Sequence, residues 1–408
     1  MALDGWLGVL GERNFRLYFI GRVTSFLGTG MVPVALAFAV LGQGRSTSDV
    51  GYVLGAETVP LVGFILIGGV VADRVSRRKL MLGSDVLRSL AQGGMAAWLL
   101  VGHPPLWGFL VLEAFVGLGT AFFTPAMTAL IPEVASDARL QQANSLNNLA
   151  MSGGTLVGPA LAGILVATVG PGWAIAADAG SYMVSAACLG ALRVQWVGVG
   201  QAESPVSQLV AGWRVFWSRT WLWAIVVQFA FFHLLAYAPF LVLGAVIARD
   251  SLGGAAAWGA ILAAQGAGSV VAGILMLRVR LRRPLLVAEL TVVASALPLL
   301  ALALGASAFV VGVAAFAGGA GLGIFGPLWD TTMQREIPSH LLSRVSAYDW
   351  FGSLVFLPVG YALAGPLAGA IGSHTVLYLG AAYMAASCAV LLAMPSVVGI
   401  VHRADPVA

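Results

Sequence analysis

Charged residues are scarce in this sequence, since they make up 9% of its 408 residues, against roughly a quarter in soluble proteins. Cysteine is scarce too: Cys188 and Cys388 are the only two, and neither has a CxxC or histidine neighbour. A disulfide framework and a metal site are therefore not expected. The five histidines are scattered without the paired spacing of metal ligands, and no glycine-rich nucleotide loop is recognisable. We therefore expect neither an enzyme nor a bound cofactor.

What the sequence has in abundance is apolar residues, which make up 59% of the chain and give a mean hydropathy of +0.93. They fall into long runs, and a membrane-spanning helix needs about 20 mostly apolar residues. The runs predict an all-α integral membrane protein with twelve transmembrane helices. The predicted spans are residues 15–42, 50–72, 80–102, 105–131, 142–169, 172–195, 221–249, 254–278, 284–304, 307–333, 341–370 and 373–398.

Basic residues are distributed unevenly between the connections of these spans. If the N-terminus is cytoplasmic, only Arg45 and Arg249 lie in outward connections, Arg22 and Arg88 lie within spans, and the other basic residues lie on the cytoplasmic side. Cytoplasmic loops of membrane proteins are enriched in this way. We therefore predict a multi-pass protein of the inner (plasma) membrane with both termini cytoplasmic. The net charge of +4 then needs no nucleic acid as a partner.

Short segments recur at a separation of roughly 200 residues, as expected of two six-helix pseudo-repeats in parallel. Leu161–Gly163 recurs as Leu363–Gly365, and Tyr182–Met183 as Tyr383–Met384. The predicted organisation is an N-terminal half at 1–196, a cytoplasmic linker at 197–220 and a C-terminal half at 221–408.

Within the predicted linker, Leu209, Trp213 and Phe216 have the spacing of one helix face. This pattern predicts a short interfacial helix with its aromatic side chains at the lipid headgroups. The alternative is an early start of the seventh span.

The segment between the second and third spans reads Gly69-Val-Val-Ala-Asp73-Arg74-Val-Ser76-Arg77-Arg78-Lys79. It resembles the signature loop of the major facilitator superfamily, except that Ser76 stands where the family usually has glycine. Gly69 is expected to let the second helix approach a neighbour closely, and Asp73 to accept from Arg77 or face a helix N-terminus. The resemblance implies a cytoplasmic gating motif, Gly69, Asp73, Arg74, Arg77 and Arg78, that bridges the halves in the outward-facing state. The alternative is a simple positive anchor.

The fifth span contains Gly154-Thr-Leu-Val-Gly158-Pro159-Ala-Leu-Ala-Gly163. This segment resembles the antiporter motif of exporters in the same superfamily, with Ser145 in the place of a further glycine. Small residues at this spacing permit a close helix crossing, and Pro159 is expected to bend the helix. The motif favours export, and the alternative is an ordinary glycine-lined crossing.

Other segments are similar to one branch of the superfamily, the enterobactin-exporter and macrolide-efflux-like group. They include Ser25–Gly28 and Asp178–Tyr182. Thr29 stands where that branch often has aspartate, so a proton site cannot be carried over to it. In the fourth span, Gly117 and Gly119 match the superfamily, but Glu113 occupies the place of the arginine found in many proton-coupled members.

Ionisable residues inside a bilayer are costly and are functional candidates by default. The sequence places Glu57, Glu113, Arg22, Asp178 and Asp330 within spans as candidates for proton or substrate binding, with structural ion pairs as the alternative. Glu113 is favoured, and Arg22 is an intermittent partner for it. Three further groups are assigned no transport role: Asp85 and Arg88, which are expected to pair with each other, His233, which is expected to pack, and Glu289, which has no evident role.

The resemblance implies a secondary active transporter that works by alternating access. The favoured function is proton-coupled export, by a monomer in the lipid bilayer, of small amphipathic molecules such as drugs or secondary metabolites. The alternatives are an importer of the same fold for a sugar, peptide or organic ion, a membrane-embedded enzyme, and a receptor or assembly factor that does not transport.

Overall fold

The computed structural model describes residues 8–136, 139–194, 205–276, 279 and 281–401 of the chain. The regular elements in these ranges are all helices, as predicted. The helices group into two compact units, Met1–Ala202 (unit 1) and Glu203–Ala408 (unit 2).

Unit 1 contains six long helices, which follow a short 3-10 turn at Gly8–Gly11. They are α1 (Arg13–Gly42), α2 (Thr47–Arg74), α3 (Arg77–Val101), α4 (Leu106–Val134), α5 (Leu140–Thr168) and α6 (Pro171–Ala191).

Side chains cap the first turns of two of these helices, α2 and α3. Ser46 and Asp49 form a reciprocal capping box at α2, in which the Asp49 amide donates to Ser46 Oγ at 3.2 Å. Ser76 caps α3 with a single hydrogen bond, because its side chain accepts from the amide of Lys79. Its φ of −57° is ordinary for a residue with a side chain, so the chain needs no glycine at this position.

Within unit 1, α1 packs against α5 and α6, α2 packs against α4, and α3 packs against α4 and α6. Glycines permit a close crossing of α1 with α5. A Cβ added to Gly158 of α5 would lie 2.6 Å from the Cα of Gly30 on α1. Helices α1 and α5 therefore touch through their backbones, as small residues allow in membrane proteins.

Unit 2 contains eight longer helices and ends in a one-turn helix at Pro395–Val398. They are α7 (Pro205–Ser218), α8 (Thr220–Leu252), α9 (Gly254–Met276), α10 (Pro284–Ala303), α11 (Ala308–Glu336), α12 (Ser339–Leu354), α13 (Leu357–Ile371) and α14 (Ser373–Leu392).

Two features of unit 2 refine the prediction. Helix α7 is separate from α8, because Arg219 between them is extended, with φ −112° and ψ 98°. The span predicted at 341–370 corresponds to one segment that is long and apolar enough to cross a membrane, Arg344–Ile371. A short break interrupts this segment, since α12 ends at Leu354 and α13 begins at Leu357. Pro358 explains this break, because it has no amide hydrogen to donate to the carbonyl of Leu354.

Eleven helical segments in the described part of the chain are long and apolar enough to cross a membrane, one of them formed by α12 and α13. The predicted span that does not qualify is α3. Its 25 residues reach about 37 Å, but Ser84, Asp85, Arg88 and Gln92 make it too polar. These four side chains are buried in unit 1, while Leu90 on the other side of α3 is 71% exposed. The count of twelve spans stays a prediction.

Candidate functional site

Unit 1 buries an unusual number of charged side chains for a membrane protein. Arg22, Arg88, Asp85, Glu113 and Asp178 are each 5% exposed or less, and Glu57 is half-buried. The two arginines, on α1 and α3, contact the same aromatic ring. Electrostatic interactions link the acids on α2, α4 and α6 with each other and with α3. We call this group the charge cluster; it comprises Arg22, Glu57, Asp85, Arg88, Glu113 and Asp178.

Arg88 has the most contacts in the charge cluster. Its guanidinium forms an ion pair with Asp85, three residues earlier on α3, which confirms the expected pairing. The same guanidinium lies 4.2 Å from the ring centroid of Phe123 and 4.3 Å from that of Tyr182. A carboxylate and two aromatic faces thus stabilise this buried cation.

Arg22 is held by aromatic rings rather than by an acid. Its guanidinium carbon lies 3.9 Å from the ring centroid of Phe26 and 4.9 Å from that of Phe123. No ion pair joins Arg22 to a carboxylate in the ranges that the structure describes. Its electrostatic neighbours are Tyr18, Arg88, Asp85 and Tyr182, and no described contact joins Arg22 to Glu113.

Glu113 lies fully buried on α4 without a cationic partner. Neither of its carboxylate oxygens has a hydrogen-bond partner among the described residues. Glu57 and Asp178, both acidic, are the ionisable groups that interact with it, and the amide side chain of Gln92 lies nearby. A buried carboxylate that is neither paired nor solvated is costly, so this environment favours the neutral, proton-bound acid.

The two glycines that follow Glu113 allow its neighbours to approach α4. A Cβ added to Gly117 would overlap the carbonyl oxygen of Glu57 on α2. A Cβ added to Gly119 would lie 2.7 Å from Cγ of Arg88 on α3. The fourth-span motif therefore brings Glu57 and Arg88 against the helix that carries Glu113.

Asp178 of α6 lies against α1. A Cβ added to Gly28 would lie 2.6 Å from its Oδ1, and the hydroxyl of Ser181 donates to the Asp178 carbonyl at 2.7 Å. The hydroxyls of Thr29 and Tyr182 are 3.0 Å apart. Two distant segments that resemble the exporter branch, Ser25–Gly28 and Asp178–Tyr182, are thus in contact.

Two arginines of the loop motif bind to neighbouring helices of unit 1. Arg77 donates to Glu133 Oε1 at 2.7 Å and to the carbonyl of Ala129 at 2.9 Å. Arg78 donates to the carbonyls of Leu189 and Gly190 at the end of α6, and Arg74 is exposed. The side chain of Asp73 lies outside the described residues.

Helix α2 approaches α4 closely at Gly68 rather than at Gly69, where the close approach was expected. A Cβ at Gly69 would meet no described heavy atom within 4 Å, whereas one at Gly68 would overlap the carbonyl oxygen of Ala121.

The antiporter-like motif forms the crossing of α5 with α1. Gly154, Gly158, Pro159 and Gly163 are all buried. A Cβ added to Gly154 would lie 2.5 Å from the carbonyl oxygen of Phe26, so this motif packs against the residue whose ring contacts Arg22.

Candidates from the second half of the chain belong to unit 2. Asp330 is exposed on α11. His233 lies within a π-helical turn of α8, where its Nδ1 is 2.8 Å from the carbonyl of Phe229 and 2.9 Å from that of Ser353. This position agrees with a packing role for His233.

Three residues of the site were missed in the sequence. Gln92 and Tyr182 lie in apolar surroundings and carry no charge, and Glu133 is 56 positions from Arg77. A polar stripe at Ser84, Asp85, Arg88 and Gln92 was the available signal for Gln92, because these positions share a face of α3.

The sequence profile of the transmembrane secretion effector family matches residues 6–400. The multidrug efflux pump Tap of Mycolicibacterium fortuitum is 28% identical over 376 residues, which cover 88% of this chain and 90% of Tap. The enterobactin exporter EntS of Shigella boydii is 26% identical over 200 residues, 49% of this chain and 48% of EntS.

Solved structures with the same fold include a mutant of the nucleoside transporter NupG, with a TM-score of 0.73 and 11% identity over 93% of this chain and 98% of that one. A transporter of the POT family has a TM-score of 0.72 and 12% identity, over 94% of this chain and 96% of that one. These similarities show the fold. Together with the family match, they show that the chain belongs to the transmembrane secretion effector family, an exporter branch of the major facilitator superfamily, and that it is a membrane transporter rather than an enzyme.

Proposed function

We propose that this transporter is a secondary exporter that exchanges protons for small amphipathic molecules, and that Glu113 is its main proton-binding residue. The observation that carries the proposal is the burial of Glu113 without a cation or a hydrogen-bond partner among the described residues. The similarity to Tap, a multidrug efflux pump, and to EntS, an enterobactin exporter, supports the outward direction.

The charge balance of the charge cluster supports proton exchange. It contains two arginines, Arg22 and Arg88, and four carboxyl groups, on Glu57, Asp85, Glu113 and Asp178. When all six are charged, two carboxylates lack a compensating cation. Protons or a cationic substrate would supply the missing positive charge in turn, because the cost of an unpaired buried carboxylate falls when it is neutralised.

The remaining features of the proposal follow from family and sequence. The transporter works as a monomer in the inner (plasma) membrane with both termini cytoplasmic, by alternating access of the two halves. The loop motif of Gly69, Asp73, Arg74, Arg77 and Arg78 serves as the cytoplasmic gate. The movement of unit 1 depends on the α1–α5 crossing, which is permitted by Gly154, Gly158, Pro159 and Gly163.

Inside-out membrane vesicles from an efflux-deficient host test the direction and the coupling together. An interior-acidic gradient should drive uptake of a fluorescent lipophilic cation only when the transporter is present, and an uncoupler should abolish that uptake. Vesicles without the transporter are the control. Release of the probe by the same gradient would indicate a proton-coupled importer instead, and uptake that is insensitive to the uncoupler would contradict proton exchange.

A further inference from the structure

Unit 2 contains a buried carboxyl group that takes no part in the charge cluster. Glu289 of α10 is 0% exposed, and Gln228 of α8 is 3% exposed. The side-chain amide nitrogen of Gln228 donates to Glu289 Oε2 at 3.0 Å. Two helices that are 61 positions apart in sequence are thus joined by one acid and one amide.

Among the described residues, no positively charged group interacts with this pair. From α14, Cys388 and Tyr383 interact with Glu289, and the hydroxyl of Tyr383 donates to the backbone carbonyl of Gln228 at 2.8 Å. Helix α11 and the one-turn helix Pro395–Val398 also pack near α10, but within the described residues they present no charged or titratable group to Glu289. An ionised Glu289 would therefore be a buried charge without a counter-ion.

Two atoms of the pair lack any hydrogen-bond partner among the described residues: Glu289 Oε1 and Gln228 Oε1. Both are acceptors when the acid is ionised, so they cannot bond to each other. A proton on Glu289 Oε1 changes this, because the resulting hydroxyl can donate to Gln228 Oε1 while the amide nitrogen continues to donate to Oε2. One proton satisfies both atoms and closes a two-bond acid–amide ring.

We propose that Glu289 and Gln228 form a second proton-binding site, confined to unit 2, in which a neutral carboxylic acid and an amide hold α8 against α10. The site is separate from the charge cluster, so its failure would leave the proposed transport mechanism intact. In this protonated form the paired side chains fix two helices without a net charge in the membrane.

Infrared difference spectroscopy of the purified full-length protein in lipid nanodiscs at neutral pH tests this site. Subtracting the spectrum of Glu289→Gln from that of the wild type should leave the C=O stretching band of one protonated carboxylic acid. Glu113→Gln is the control, because that band should persist in its spectrum. A carboxylate doublet in the wild-type-minus-Glu289→Gln spectrum, in place of the acid band, would overturn the proposal.

Gln228→Leu provides an independent measurement if Glu289→Gln does not fold. This variant removes both hydrogen bonds of the ring, so the acid band should shift to higher frequency relative to the wild type. Thr291→Val is its control, since Thr291 lies on the same helix as Glu289 but its hydroxyl donates to the backbone carbonyls of Val287 and Ala288, so this variant should leave the acid band unchanged. An acid spectrum that is identical in Gln228→Leu and the wild type would contradict the acid–amide ring.

Discussion

Arg88 forms its ion pair with Asp85, its neighbour on the same helix, and both side chains are buried in unit 1. A pair formed within one helix does not depend on the approach of another helix. The guanidinium is also held by Phe123 and Tyr182. The charge of Arg88 is therefore compensated on its own helix, and no cation among the described residues pairs with Glu113 on α4.

Replacement of Glu113 tests the coupling role directly. Glu113→Gln keeps the shape of the side chain and cannot bind or release a proton. We expect it to abolish pH-gradient-driven efflux in proteoliposomes and to spare passive exchange of a neutral substrate. Glu57→Gln is the comparison, and we expect it to lose less gradient-driven efflux than Glu113→Gln. The reason is that Glu57 is half-buried and its carboxyl group lies near the Thr120 hydroxyl. If both variants keep full gradient-driven efflux, the coupling site lies elsewhere, with Asp178 as the next candidate.

The contact of α4 with α2 is predicted to be sensitive to a single methyl group. A Cβ at Gly117 would overlap the carbonyl of Glu57, whereas one at Gly180 on α6 would meet no described heavy atom within 4 Å. Overpacking of this kind costs about 1–3 kcal/mol. Gly117→Ala should therefore lower the unfolding midpoint in detergent. Gly180→Ala should leave it unchanged, and equal midpoints for the two variants would contradict the close crossing.

Glu12 precedes α1 and is expected to make the stability of unit 1 depend on acid pH. Its carboxylate accepts from the Ser136 hydroxyl at 2.7 Å and from the Ser136 amide at 2.9 Å. These hydrogen bonds, with Arg139 nearby, hold the pKa of Glu12 below its usual value of 4.5. The ionised form is the one that folding favours, so this stabilisation is present above pH 4.5 and is lost as the pH falls through the lowered pKa.

Thermal unfolding of the wild type and Glu12→Gln at a series of pH values measures this effect. The wild type should be the more stable at neutral pH, and the difference should shrink below pH 4.5. A difference that stays constant down to strongly acid pH would show that the Glu12 charge is not involved.

The membrane orientation rests on the distribution of arginine and is tested by labelling. In a variant with serine at positions 188 and 388, we expect a membrane-impermeant maleimide added outside intact cells to label Ser48→Cys. Ser218→Cys, at the end of α7, should be labelled only after the cells are opened. The opposite pattern would reverse the proposed topology.

Much of the fold was predictable because the apolar runs are long and the loop motif is specific. The ion pair of Asp85 with Arg88 was predictable as well, since both residues lie one turn apart on one helix. The partner of Arg77 was not predictable, because Glu133 is distant in sequence and its approach depends on how α3 packs against α4. The interruption between α12 and α13 had a local signal in Pro358, which an apolar-run argument does not register.

The sequence motif pointed to Gly69, but the close approach of α2 to α4 is at Gly68. This difference of one residue has a geometrical origin. Successive residues on a helix point about 100° apart, so an assignment that is correct in position along the axis selects the wrong residue if the rotation of the helix is unknown. A sequence motif alone does not define that rotation.

The polarity of α3 has a consequence for how the protein is made. Asp85 and Arg88 lie near the middle of this helix, where each charged residue costs about 2.5–3.5 kcal/mol during insertion. Part of this cost is offset within α3 itself, by the ion pair of the two residues. The rest is offset by the contacts of Arg88 with Phe123 on α4 and Tyr182 on α6, which leave the ribosome after α3. Helix α3 therefore gains its full stabilisation in the membrane only after the later helices have been synthesised and have packed against it.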